Sequence, residues 1–80
     1  KNMSFDIFPN PSFNYLTIKG TFLEKGQIII CDNLGRSIYS KKYNYGVQNI
    51  TIDMSSFSKG LYFIKLKSKT SQKIEKIIKQ

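Results

Sequence analysis

The sequence contains no histidine, no tryptophan and no alanine, with a single cysteine, two prolines and only five acidic residues. Each shortage closes a class of function. Without histidine there is no imidazole to serve as a neutral-pH base or metal ligand, and Cys31 has no such partner to form its thiolate. One cysteine makes no internal disulfide, and Cys31 sits in an apolar run, where a thiol behaves as a small hydrophobe. The five carboxylates (Asp6, Glu24, Asp32, Asp53 and Glu75) are scattered. The longest apolar runs, Ile28–Cys31 and Leu61–Ile64, are too short for a membrane-spanning helix or a signal-peptide core. A chain this short buries only roughly 60% of its unfolded surface, too little to enclose a large cofactor. The expectation is one domain with no catalytic, cofactor-binding or metal site, and no enzyme.

What the chain has instead is lysine and isoleucine. Twelve of thirteen cations are Lys, Arg36 is the one Arg, and the formal net charge is +8. Proteins that read bases or clamp phosphates lean on the planar fork of Arg. This balance therefore favours a solubilising Lys surface over a nucleic-acid site. The charge is also uneven: residues 1–58 carry +2, and residues 59–80, with seven Lys and one Glu, carry +6. Electrostatic recognition, if any, belongs to the last quarter. The 40% hydrophobic fraction argues for a folded core.

Turn-forming residues divide the chain into short segments. Phe5–Phe8 is β-prone and stops at Pro9-Asn10-Pro11, where proline fixes its own φ and pushes its predecessor to extended geometry, predicting a rigid extended corner. Tyr15–Lys19 alternates, with Leu16 and Ile18 inward, before a connection marked by Gly20 and Glu24-Lys25-Gly26. Gln27–Cys31 reads as a central strand, apolar on both faces. Asp32-Asn33-Leu34-Gly35 supplies a hairpin, because Asp can bond its own backbone and Gly35 can take a positive φ. Arg36–Tyr43 is the return strand with Ile38 inward. Its mixture of apolar and charged residues on one parity predicts a bulge or an exposed strand end.

After Asn44-Tyr45-Gly46, Val47–Asp53 sets Ile50 and Ile52 against Asn49, Thr51 and Asp53, the cleanest two-residue period present. Met54–Lys59 is a connector anchored by Met54 and Phe57, expected as one helical turn, and Asp53 can cap it. Leu61–Lys67 puts Tyr62, Ile64 and Leu66 on one face, with Lys65 and Lys67 turned to water. In Lys73–Gln80 the isoleucines also fit helical spacing, but β-branching and shortness favour a final strand. About seven short strands between Gly, Asn, Asp and Pro marks predict an all-β fold. The architecture expected is a small antiparallel immunoglobulin-like β-sandwich.

The order of the marks is itself distinctive. Phe8-Pro9-Asn10-Pro11, Leu16-Thr17-Ile18, Ile30-Cys31-Asp32-Asn33-Leu34-Gly35, the stretch Ile52–Tyr62 and Lys76-Ile77-Ile78-Lys79 follow one another nearly end to end. From about Phe5 to Gln80 this resembles the C-terminal sorting domain of type IX secretion cargo, type A, found in Bacteroidota. That family reads as an aromatic residue before Pro-Asn-Pro, an Asp/Asn-x-x-Gly hairpin, an Asp-Leu-Ser-x-Leu-x-x-Gly-x-Tyr stretch and a basic-apolar-apolar-basic ending. Cys31 departs from the usual Tyr or Phe, and Met54 and Phe57 stand where Leu is usual. Extra residues between Ser68 and Lys76 lengthen the last hairpin.

The resemblance implies an export address. Residues 1–80 would be a single sorting domain, a fragment of a longer secreted protein, with 1–4 as the linker to a covalently joined N-terminal cargo. The chain would pass the periplasm and reach the cell surface or the medium. Its partners would be an outer-membrane translocon, shuttle proteins and a sortase-like cysteine peptidase that removes the domain and attaches or releases the cargo. No cofactor, nucleic acid or membrane insertion is implied.

Pro9, Asn10, Pro11, Asp32, Gly35, Asp53, Gly60 and Tyr62 read as sorting-motif residues that maintain the fold. Gly60 would supply a conformation or close approach that a Cβ blocks, and Tyr62 a buried ring with a polar tip. Lys76, Ile77, Ile78 and Lys79 are the candidate machinery-recognition element, docking by strand addition at the edge they form. Edge guarding is the competing duty of the two lysines. A second reading is a carbohydrate-binding or adhesion module, which would need Tyr39, Tyr43 and Tyr45 as an exposed aromatic platform. Single-stranded nucleic-acid binding by stacking and phosphate contact is a third.

Overall fold

Alternating Ile and Leu residues place the core before any long-range contact is considered, since every second side chain of a strand faces the same way. The computed structural model of the protein describes residues 4–9 and 14–80. Among them are seven strands: β1 (Ser4–Phe8), β2 (Tyr15–Phe22), β3 (Gly26–Asp32), β4 (Ser37–Tyr43), β5 (Gly46–Asp53), β6 (Gly60–Ser68) and β7 (Gln72–Lys79). Every pairing is antiparallel, in a three-stranded sheet ordered β1-β2-β5 and a four-stranded sheet ordered β4-β3-β6-β7. The chain crosses between sheets after β2, β4 and β5. This is a small immunoglobulin-like sandwich.

Register follows the apolar pattern. Leu16 lies opposite Ile52 and Ile18 opposite Ile50 in one sheet. Ile28 lies opposite Leu66 and Ile30 opposite Ile64 in the other. These residues, with Phe22, Met54, Tyr43, Tyr62 and Ile77, form a single buried cluster. Burying each such side chain contributes about 1.5–3 kcal/mol, and a one-residue slip would turn the whole set outward. The rings of Phe22 and Tyr43, with centroids 4.4 Å apart, join the two sheets near one end.

Three expectations are corrected. Gly20 does not end β2; the strand runs on to Phe22, which is buried. Gly20 is held between Phe5 and Gln48 as an ordinary ladder member. Ile38 is not inward but exposed. The β3–β4 register shifts between Ile30 and Cys31, so Ile30 faces Tyr39 whereas Cys31 faces Ser37, and Ile38 is the extra residue. Tyr39 and Tyr43 turn inward in its place. The 54–59 connector is a tight turn, not a turn of helix, closed by the Phe57 N–H donating to the Met54 carbonyl at 3.0 Å.

The termini of β1 and β7 lie at opposite ends. Ser4 pairs with Thr21, near the β2–β3 connection, whereas Lys79 pairs with Gly60 beside the 54–59 turn. Of the expected 1–4 linker only Ser4 is described, and it begins β1.

Candidate recognition surface

Strand direction alone brings the motif residues together. The β1–β2 connection, the β3–β4 hairpin, the β5–β6 connector and the end of β7 all fall at one pole of the sandwich. The Met54 N–H donates to the Asn14 carbonyl at 2.6 Å, tying the β5–β6 connector to the β1–β2 connection. Pro9, exposed and preceded by a cis peptide bond, ends β1 at the same pole. Asn10 and Pro11 lie outside the described residues.

The hairpin is organised by one carboxylate. Asp32 Oδ1 accepts the N–H groups of Leu34 and Arg36, both at 2.9 Å, and Oδ2 accepts Arg36 Nε at 2.7 Å. The Gly35 N–H reaches the Asp32 carbonyl at 3.0 Å, with Gly35 at φ 85°, a conformation that favours glycine. The Arg36 backbone N–H is the main cause that holds the Asp32 carboxyl below its ordinary value, with the guanidinium adding to it. Asp53 is lowered likewise by the Ser55 hydroxyl and N–H, the latter donating to Oδ1 at 2.9 Å.

Tyr62 closes the pole. Its ring is buried against Phe57, centroids 5.4 Å apart, and its hydroxyl donates to the Ser58 carbonyl at 2.6 Å. Gly60, at φ 144°, begins β6 with open space where a side chain would stand, so backbone conformation and not crowding requires glycine there. A cleft of about 470 Å³ separates hairpin from connector and is lined by Asp32, Arg36, Phe57, Gly60, Leu61 and Tyr62, among others.

The last motif lies along the neighbouring ladder. Lys79, Ile78, Ile77 and Lys76 stand opposite Gly60, Leu61, Tyr62 and Phe63. Their environments differ. Ile77 is fully buried in the core, and Lys79 is only 8% exposed, its Nζ donating to the Gln80 carbonyl at 3.4 Å. Lys76 and Ile78, on the other parity, reach the outer face. The two lysines are thus not equivalent: Lys79 lays its stem along the protein, and Lys76 is presented.

Other expectations separate cleanly. The aromatic platform does not form, because Tyr43 is buried and Tyr39 packs partly against the core, leaving Tyr45 alone exposed. Among the described residues no group of acidic or cysteine side chains could hold a metal ion. Sequence reasoning missed Arg36, whose only signal was its place one residue after the hairpin glycine. It also missed Glu24 at the far pole, which accepts from Ser68 Oγ at 2.6 Å and from the Thr70 N–H at 2.9 Å. No local pattern announces a partnership across more than forty residues.

A family model described as the secretion system C-terminal sorting domain matches residues 6–80. The chain belongs to this family. No curated protein sequence matches it. It is a type IX secretion C-terminal sorting signal, of the kind that sends proteins of Bacteroidota to the cell surface or beyond. The family is not an enzymatic one, and it implies interaction with the type IX system and with a cargo region on the N-terminal side. The motif pole is therefore the pole of this sorting domain at which the described residues singled out in the sequence meet.

Proposed function

We propose that the motif pole is the face the sorting domain presents to the type IX machinery, with Lys76 and Ile78 as its exposed contacts and Ile77 and Lys79 as their anchors. The observation that carries this reading is the convergence of hairpin, connector and C-terminal strand at one end, while β1 starts at the other. A cargo joined ahead of Ser4 would trail from the opposite pole of a body 33 Å long, leaving the motif pole unobstructed. Residues 1–80 then act as one unit at the end of a longer secreted protein. The shuttle proteins and outer-membrane translocon receive it from the periplasm. A sortase-like cysteine peptidase subsequently severs it and attaches or releases the cargo.

The test is a reporter with its own N-terminal signal peptide fused ahead of residues 1–80. Surface export is expected only in cells with a working type IX system, and equal export without that system would refute the reading. Deleting 76–80 removes the buried Ile77, so Lys76→Ala and Ile78→Ala provide the folded comparison. Their export is expected to fall while their melting temperatures hold.

A further inference from the structure

Among the described residues the sandwich has four edge strands, and three are guarded. Strand β4 is broken by the bulge at Ile38 and carries Lys41 and Lys42. Strand β7 carries Lys73, Lys76 and Lys79. Strand β1 has five residues and runs into Pro9. Strand β5 has none of these devices. From Gly46 to Ile52 it contains no charged residue and no proline, and its register with β2 is unbroken over all eight residues. Long, regular, uncharged edges invite pairing with another chain, and proteins usually blunt them.

The phase of this edge is fixed by one bond. Met54 donates its N–H to the Asn14 carbonyl, so Asn14 and Met54 form a directly bonded pair. Bonded and non-bonded pairs alternate along an antiparallel ladder. Ile52, Ile50 and Gln48 therefore direct their N–H and C=O groups at β2. Val47, Asn49 and Thr51 direct theirs away from the sheet. Their side chains are exposed on the outer face, Val47 by 80%.

We infer that β5 is the edge at which a strand of the export machinery adds to the sorting domain, in place of the β7 edge the sequence suggested. This rests on the proposed function and identifies the partner's chemistry. The occupant is an extended segment that alternates apolar and polar residues. Its apolar side continues the core beyond Ile50 and Ile52, and its polar side is uncharged, lying beside Val47, Asn49 and Thr51, because Lys19, opposite Asn49 on β2, already stands opposite Asp6 on β1. The net charge of +8 opposes pairing with a second copy. Main-chain bonding also suits a signal carried by many different cargos, because it makes few demands on side chains.

Asn49→Pro and Thr51→Pro each remove an outward N–H without breaking a bond to β2. Both variants are expected to fold, and export of the reporter fusion is expected to fall by about tenfold or more, the factor set by one or two lost hydrogen bonds. Should either proline variant unfold, Val47→Lys, which leaves the backbone bonds to β2 intact and adds an edge charge, takes its place with the same expected loss. Folded variants exported like the wild type would overturn the inference. So would a dimer in sedimentation of residues 1–80 that Thr51→Pro dissociates, because the occupant would then be a second copy. Failure of the wild-type fusion to depend on the type IX system would instead fault the proposed function itself.

Discussion

Asp32 holds Arg36 twice, accepting its backbone N–H at 2.9 Å on one oxygen and its Nε at 2.7 Å on the other. A single carboxylate thereby joins the two ends of the β3–β4 hairpin and fixes a side chain over its mouth. The Asp32 side chain is only 14% exposed, whereas Arg36 is 72% exposed. The pair is thus a turn lock with a solvent-facing cation, at the rim of the cleft shared with Phe57 and Tyr62.

This lock titrates. The native fold holds the Asp32 carboxyl below its ordinary value of 3.8, chiefly through the Arg36 backbone N–H. A lowered native value means that the stabilisation is present above about pH 4 and is lost as pH falls through the native value. Asp32→Asn keeps an acceptor for the two N–H groups but removes the charge. Its melting temperature is expected below that of the wild type at neutral pH, with the difference closing in acid. Asp53, lowered by Ser55, leaves part of the acid sensitivity in the variant. A difference that stays constant from neutral pH into acid would show that the charge of Asp32 contributes nothing.

Two glycines should fail for different reasons when replaced by alanine. Gly60 sits at φ 144° with nothing near the position of a Cβ. Its replacement costs about 1–3 kcal/mol of backbone strain. A Cβ on Gly26, which has no such φ, would instead collide with the Tyr43 ring and hydroxyl and with the Lys67 carbonyl. Overpacking of this kind costs about 1–3 kcal/mol or more, and the backbone carbonyl cannot swing aside. Denaturant unfolding of both variants checks the magnitudes. Removing the Tyr43 side chain bulk in the background of each separates the causes: Tyr43→Ala should narrow the Gly26→Ala deficit and leave the Gly60→Ala deficit unchanged.

The strands and their core faces were legible because alternation in Tyr15–Lys19, Val47–Asp53 and Leu61–Lys67 depends only on each strand's own burial. Ile38 was not, since a bulge is set by the pairing of two strands and reverses the parity of every residue beyond it. The burial of Lys79 was not legible for a related reason. A lysine at a chain end looks solvated, but its partner across the ladder, Gly60, places it beside the closed pole of the sandwich. The motif residues could be picked out one by one; their gathering at a single pole is a property of topology that no single segment carries. The difference between guarded and unguarded edges likewise required knowing which strands lie outermost.

Tyr43 predicts an alkaline limit to stability. Its ring is buried between the sheets against Phe22, and its hydroxyl is raised above the ordinary value of 10.0, first by burial and then by the negative charge of Glu24. A raised native value means that the native state holds this proton more tightly than the unfolded chain. The stabilisation is therefore complete below about pH 10 and is lost as pH rises through the native value. Tyr43→Phe keeps the ring and removes the titrating group. At neutral pH the variant should lie within about 1 kcal/mol of the wild type, the ordinary contribution of one hydroxyl. Above about pH 10 the wild type should lose stability faster, so that the variant becomes the more stable of the two. The lysines and the other tyrosines titrate in both proteins, and the difference between the two unfolding curves isolates Tyr43. Curves that remain parallel into strong alkali would show that the buried ring releases its proton as readily as an unfolded one.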